Sequence, residues 1–349
     1  MSIGTLAIRA DANPMIGTGH AMRCLALAQG WQDAGGHIVF AMVESTTAVD
    51  QRLREEGFTI IFLDAQANSE EDARAFARLA KEHQAAWAVV DGYHFDAAYQ
   101  RNLKRHDLSV LLVDDCAQSG EYCADLVLDQ NPQANSTMYA NRESPTQLLL
   151  GTQFVLLRRE FLRWGKRVRS IPTVGRNLLI TMGGSDPDRL TRHVLAGLGR
   201  IFVPNLAITV VAGGSNPNER ELQQMIEDVE MPISFLSHAM HIDELMAKSD
   251  AALICGGGTL WELLYMGCPT LSYSRTRPQA EIVSALEEMG AVCNMGDAGE
   301  IETSHLTAPL ESLFLSPSRR EAMSNAGRRI VDGKGVSRII EHMMAGVAA

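Results

Sequence analysis

Cysteine is sparse in this sequence and dispersed: Cys24, Cys116, Cys123, Cys255, Cys268 and Cys293 form no C-x-x-C pair. That spacing excludes a zinc ribbon and argues against a disulfide framework, leaving thiols suited to a reducing compartment. There is no excess of positive charge either. Lys and Arg number 31 against 42 Asp and Glu, a formal charge of −11, which sets aside a general nucleic-acid binder. No apolar run reaches the ~20 residues of a membrane span. The first residues carry neither the basic nor the apolar region of a secretory signal. The expectation is a cytoplasmic protein with no stable membrane insertion. What is present is 46% hydrophobic and 21% charged, the balance of a folded chain, over 349 residues, enough for two domains.

Strand candidates at 5–10, 37–43, 58–63, 86–91, 109–114 and 125–128 alternate with helical stretches near 20–34, 47–56, 70–83 and 96–106. That order predicts an α/β fold with a parallel, doubly wound sheet. A short apolar piece follows at 148–150. Residues 158–176 break the rhythm with Arg158, Arg159, Arg163, Lys166, Arg167 and Arg169, and read as a linker. A second series begins at 177, with strands near 177–182, 206–212, 232–236, 251–255, 269–273 and 291–294. The expected layout is a domain at 1–157, the linker at 158–176, a second domain at 177–330 and a closing helix at 331–349. Two such Rossmann-like domains facing each other would make a cleft at their strand C-terminal ends, where α/β folds bind ligands.

Two glycine turns carry the chemistry. The first, Gly17-Thr-Gly19-His20, lies between a strand and a buried helix. Its glycines admit a ligand close to the backbone, and His20 suits proton transfer near neutral pH. The second, Cys255-Gly256-Gly257-Gly258-Thr259, runs from a strand into a helix whose N-terminal amides suit a diphosphate. Glu262, one turn on, is placed to hold ribose hydroxyls. The alternative there is a capping box of Thr259 and Glu262. An internal echo, Gly183-Gly184-Ser185-Asp186-Pro187 and Gly213-Gly214-Ser215-Asn216-Pro217, points to shared loop chemistry rather than a solenoid.

The second half resembles the nucleotide-sugar site of the GT-B superfamily, and the MurG-like transferases in particular. The resemblance places a glutamine, Gln279, near the donor sugar, and the segment holding Met240 near the uracil. Further pieces recur in order in one GT-B-like hydrolase family. They are Arg9-Ala-Asp11, the loop 16–25 with His20 and Arg23, Asp91-Gly-Tyr93, Asp114-Asp115, Asp129-Gln130-Asn131, Arg158 with Phe161, and 183–187. That family is the UDP-sugar hydrolases of pseudaminic acid biosynthesis, linked to flagellar or surface glycans. It implies inverting, metal-independent release of a 2,4-diacetamido-2,4,6-trideoxy-hexose from UDP, with His20 as the catalytic residue; we expect His20 to act as general base, with no cofactor. Gly92 and Arg277-Pro278 depart from the family pattern, which leaves the sugar's identity open.

Around His20, Asp11 either orients the imidazole or forms an Asx turn. Arg23 either steers the diphosphate or is structural. Tyr93 contacts the sugar or packs, and Asp91 is expected to fix local backbone beside the substrate. Asp114-Asp115 could suggest a metal but more often satisfy amides, so no metal is expected. The partner expected is a small UDP-sugar. Oligomeric state is left open, a monomer included. An inverting glycosyltransferase and a non-catalytic nucleotide-sugar sensor are the competing readings.

Overall fold

The computed structural model describes residues 3–143, 145–229, 231–237, 239–301 and 303–347. The chain forms two compact units, Met1–Arg159 with Gly333–Ala349, and Glu160–Asp332.

In the first unit the strands are β1 (Thr5–Ala10), β2 (His37–Met42), β3 (Thr59–Phe62), β4 (Ala85–Asp91), β5 (Val110–Val113), β6 (Leu126–Asp129) and β7 (Gln147–Leu150). They form one parallel sheet in the order β3-β2-β1-β4-β5-β6-β7. The apolar piece near 148 is thus a seventh, edge strand. Helices α1 (Gly19–Asp33), α2 (Thr47–Glu55), α3 (Glu70–Glu82) and α4 (Ala97–Lys104) make the crossovers. Thr46, Ser69 and Asp96 start the last three by accepting backbone N–H bonds at Val49, Asp72 and Tyr99.

The second unit opens with α5 (Arg159–Leu162). Then come β8 (Asn177–Thr181), α6 (Leu190–Leu198), β9 (Ala207–Ala212), α7 (Glu219–Glu227), β10 (Ile233–Ser237) and α8 (Ile242–Lys248). It continues through β11 (Ala251–Cys255), α9 (Gly258–Tyr265), β12 (Thr270–Ser274), α10 (Arg277–Glu288), β13 (Val292–Asp297), α11 (Thr303–Leu315) and α12 (Pro317–Ile330). Its six strands are ordered β10-β9-β8-β11-β12-β13. The last helix, α13 (Gly335–Val347), returns to the first unit. There Ile339 and Met343 are fully buried, and Trp87 Nε1 donates to the Met343 carbonyl at 3.1 Å.

The basic stretch expected to be a linker belongs mostly to the second unit. Phe161 is buried, Trp164 Nε1 donates to Asp243 at 2.7 Å, and Arg169 donates to the Met246 carbonyl at 2.7 Å. Its cations hold carbonyls and carboxylates of α8 and its flanks. An apolar anchor and these bonds make it part of the fold rather than a free connection.

Strand parity positions the first unit's site. Ile8 and Ala10 on β1, Trp87 and Val89 on β4, and Leu111 and Val113 on β5 share one core with α1. Ala7, Ala88, Val90, Leu112 and Val127 face the opposite core, with Phe76, Tyr99, Tyr122 and Tyr139. Side chains alternate across a strand with period two. Asp91 and Asp115 therefore fall on the α1 side. Arg9, Asp11, Asp114 and Asp129 fall on the other.

Candidate functional site

The order of the first sheet reverses between β1 and β4, and a crevice for ligands opens outside the strand ends at such a switch point. Asp91 ends β4 there, fully buried, and His20 enters from the first turn of α1, 7% exposed. His20 Nδ1 lies 2.7 Å from Asp91 Oδ1. Arg23 grips the same carboxylate with both arms, Nε to Oδ2 at 2.6 Å and Nη2 to Oδ1 at 2.7 Å. Its Nη1 donates to Asp115 Oδ1 at 2.6 Å. Cys24 Sγ adds a long contact to Asp91 Oδ2, at 3.4 Å.

Burial opposes the charge on Asp91, but Arg23 and then His20 outweigh it and hold the carboxyl well below the usual carboxylate range. An ionised carboxylate only accepts hydrogen bonds, so the proton of the His20–Asp91 bond sits on Nδ1. In the neutral ring Nε2 is then the bare nitrogen, and it has no hydrogen-bond partner among the described residues. The Tyr93 ring meets the imidazole edge to face at 4.6 Å and is half exposed. Its hydroxyl reaches Asp115 Oδ2 at 3.3 Å, and burial, then the charge of Asp115, raises its pKa.

Asp11 neither orients the imidazole nor forms an Asx turn, and Asp91 takes the place beside His20. Asp11 Oδ1 accepts the amides of Val43 and Glu44 at 2.7 and 3.2 Å, and Arg9 Nη1 at 2.6 Å. It holds backbone, while Asp91 orients the imidazole; parity puts Asp11 on the face away from α1. Arg23 is engaged by two carboxylates, so of its two readings, steering the diphosphate or structural, the geometry is that of a structural clamp. Asp114 binds the amides of Asp115, Cys116 and Ala117 and the hydroxyl of Tyr122. Asp115 and Asn131, whose Nδ2 donates to the Asp115 carbonyl at 2.9 Å, were absent from the expected site residues. The sequence signal for Asp115 was its odd-numbered register with Leu111 and Val113.

Gly17 turns with φ of 78° and donates its amide to the Asn13 carbonyl at 2.8 Å, while Gly19 begins α1. The Asn13 side chain caps the loop by accepting the amides of Met15 and Ile16. Met15 is 79% exposed at its tip. His94, after Tyr93, packs tilted against Phe95 with ring centroids 4.1 Å apart, and burial, opposed by Asp11, lowers its pKa.

In the second unit the switch falls between β8 and β11. Beyond β11 the helix α9 begins at Gly258, its N-cap is Gly257, and no side chain caps it. The capping box of Thr259 and Glu262 is therefore not formed; Thr259 already lies inside the first turn. Gly257 and Gly258 are exposed, Thr259 is half-buried and Glu262 is buried. Gly256 donates its amide to Ser272 Oγ at 3.1 Å. The Gln279 side chain packs over Gly256, within 2.9 Å of where a Cβ would stand, and its Oε1 accepts the Arg275 amide at 2.9 Å. Pro278 lies in the first turn of α10, where the missing N–H costs nothing.

Beyond β8, Gly183 is exposed, Gly184 half-buried and Ser185 buried. Ser215 donates its amide to the Gly184 carbonyl at 3.1 Å, so the two echoed loops bind each other. Met240 is 60% exposed ahead of α8.

Among the described residues, Glu121, Cys123 and Glu143 bring three metal-type donors together. Arg101 pairs with both glutamates, and burial, then Glu143, pushes the Cys123 thiol up to about 11, so a guanidinium fills that cluster. No described helix is long and apolar enough to cross a membrane.

No family model matches the chain. It is 26% identical over 208 residues to the spore coat polysaccharide biosynthesis protein SpsG of Bacillus subtilis (strain 168), covering 59% of this chain and 58% of that protein. It is 25% identical over 285 residues to the uncharacterized protein MJ1062 of Methanocaldococcus jannaschii, covering 79% of this chain and 57% of that one. The chain thus spans less than three fifths of the length of both curated relatives. Among solved structures, the S. aureus MnaA–UDP co-structure superposes with a TM-score of 0.70 at 13% identity, over 99% of this chain and 97% of that one. MurG of Acinetobacter baumannii gives 0.65 at 15%, over 98% and 99%. Two parallel, doubly wound Rossmann-like units of seven and six strands make this a GT-B fold.

Proposed function

We propose that this chain is a UDP-sugar hydrolase that cleaves the anomeric C–O bond of a UDP-linked 2,4-diacetamido-2,4,6-trideoxy-hexose. The observation that carries the reading is the His20–Asp91 pair, with Nδ1 bound to a charged carboxylate and Nε2 without a partner among the described residues, at a switch point. The resemblance of the motifs to hydrolases of pseudaminic acid biosynthesis gives the reaction class. UDP in a structure of the same fold and the polysaccharide role in the name of a relative support the substrate class.

In this reading the amides of Gly257–Thr259 and the α9 dipole hold the diphosphate and stabilise the charge growing on departing UDP. Glu262 holds the ribose, Gly183–Ser185 and Gln279 line the phosphates and sugar, and the segment with Met240 meets the uracil. His20 Nε2 takes a proton from water as that water attacks the anomeric carbon, with inversion through an oxocarbenium-like transition state. Asp91 stabilises the imidazolium that forms. Tyr93 offers its half-exposed ring to the sugar.

Exposed Met15 and Ile16, on the loop that carries His20, favour a second reading. They offer an apolar surface to an acceptor alcohol, and the same base would then serve an inverting transferase.

The test is incubation with the UDP-linked diacetamido sugar in ¹⁸O-water, with EDTA and without acceptor. Label is expected in the free sugar, and His20→Ala is expected to lose ~10²–10⁴-fold in rate. Label in phosphate, or full activity in His20→Ala, sinks the assignment. Turnover only on adding an acceptor alcohol turns the reading to the transferase.

A further inference from the structure

A second hydrogen bond competes for the imidazole. Arg23 Nη2, which donates to Asp91 Oδ1 at 2.7 Å, lies only 3.3 Å from His20 Nδ1. Two arrangements of the same groups are therefore close in space. In one, Nδ1–H donates to Asp91 and Nε2 is bare. In the other, Arg23 donates to a bare Nδ1 and the proton sits on Nε2, where the ring cannot accept a proton from water.

What separates the two is the direction in which the guanidinium is held. Arg23 is a rigid planar fork, so its Nη1 and Nη2 move together. Nη1 is tied to Asp115 Oδ1 at 2.6 Å. Asp115 is itself fixed on two sides, by Asn131 Nδ2 on its backbone carbonyl at 2.9 Å and by the Tyr93 hydroxyl on Oδ2 at 3.3 Å. The contacts run from Tyr93 through Asp115, Arg23 and Asp91 to His20, and the Tyr93 ring closes them into a loop by packing on the imidazole. Asp91 from β4, Arg23 from α1 and Tyr93 from beyond β4 touch the imidazole, Cys24 and Asp115 touch Asp91 and Arg23, and the charge of His94 is felt at the ring.

We infer that Asp115 is a positioning residue that selects the His20 tautomer: by drawing the Arg23 fork onto Asp91, it keeps the guanidinium from donating to Nδ1 and leaves Nε2 free. This deepens the hydrolase reading, since a bare Nε2 is what a general base requires, and its consequence for rate rests on that reading. The tautomer itself does not.

The experiment is ¹⁵N NMR of the imidazoles in the full chain labelled at histidine, at a pH where the ring is neutral. The His20 signals are identified by their loss in His20→Gln. Steady-state kinetics are measured on the same samples. In the wild type Nδ1 is expected to carry the proton and Nε2 to show the shift of a bare nitrogen. In Asp115→Asn the Nε2–H form is expected to rise to about nine-tenths of the neutral ring, with kcat down about tenfold in step and KM little changed, as for loss of most of a base's competent population. Asp115→Glu, which keeps the charge on Arg23, is expected to return both readings toward the wild type.

A folded Asp115→Asn protein with an unchanged nitrogen pattern overturns the inference, whatever its rate. A shifted pattern with unchanged turnover keeps the inference and removes His20 as the base. Should Asp115→Asn not fold, the wild-type spectrum decides, since a neutral His20 protonated on Nε2 overturns the proposed selection outright.

Discussion

Asp129 is a buried carboxyl with no cationic partner among the described residues. It accepts the Tyr139 hydroxyl at 2.7 Å and the Asn131 amide at 3.0 Å, yet burial outweighs both and raises its pKa from 3.8 to about 7. The charges of Asp115 and Asp114 add to the rise. The unfolded carboxyl loses its proton near 4 while the folded one keeps it to about 7. Between those values the native state binds more protons than the unfolded one, so stability falls as pH rises. Asp91 runs the other way: with its pKa depressed, it contributes stability above the unfolded value and loses it as pH falls below. Asp129→Asn is therefore expected to shrink the loss of stability between pH 5 and pH 8, read as urea midpoints at the two values. Equal losses in the variant and the wild type would mean that Asp129 is already ionised in the fold.

Glycines set the elements' contacts at two places for different reasons. Gly213 is a close approach: a Cβ there would stand 2.3 Å from the Gly184 carbonyl oxygen and 2.4 Å from its Cα, backbone that cannot swing aside. Gly213→Ala is expected to cost about 1–3 kcal/mol or more by overpacking, seen as a lowered melting temperature. Gly257 is a conformation: φ of 73° with ψ of −170° is a region open to glycine, and a Cβ would meet nothing within 4 Å. Gly257→Ala is expected to cost roughly 1–3 kcal/mol of strain. It should also weaken UDP binding, measured by calorimetry, by about tenfold or more, a change of roughly 1.4 kcal/mol. Unchanged UDP affinity in a folded Gly257→Ala protein would remove the turn from the nucleotide site. The strands and crossovers were readable from alternation and helical runs, and most ends moved by only a residue or two. The face on which each strand-end carboxylate lies was readable too, by counting parity from Ile8, Val89 and Val113. Residue type alone could not separate Asp11 from Asp91, because both follow apolar strands. Arg23's ties to β4 and β5, like the Trp164–Asp243 bond, join residues far apart in sequence, where no local pattern reports them.

At the scale of the whole molecule, the first unit is made of two separate pieces of chain. Its core takes in Ile339 and Met343 from α13, each worth roughly 1.5–3 kcal/mol of burial. Deleting 333–349 is expected to strip hydrogen-exchange protection from β1 and β4 while β8 and β11 keep theirs. Unchanged protection in β1 and β4 would make α13 an appendage. The Trp87–Met343 bond spans 256 positions of sequence. On the ribosome, the strands around Trp87 must wait, with one apolar face uncovered, until α13 has emerged 256 positions later. The continuous segment 160–332 has by then every residue it needs. Of these two units, the one begun earlier is thus completed later, against the usual N-terminal-first order of synthesis, and its nascent form has the greater need of a chaperone.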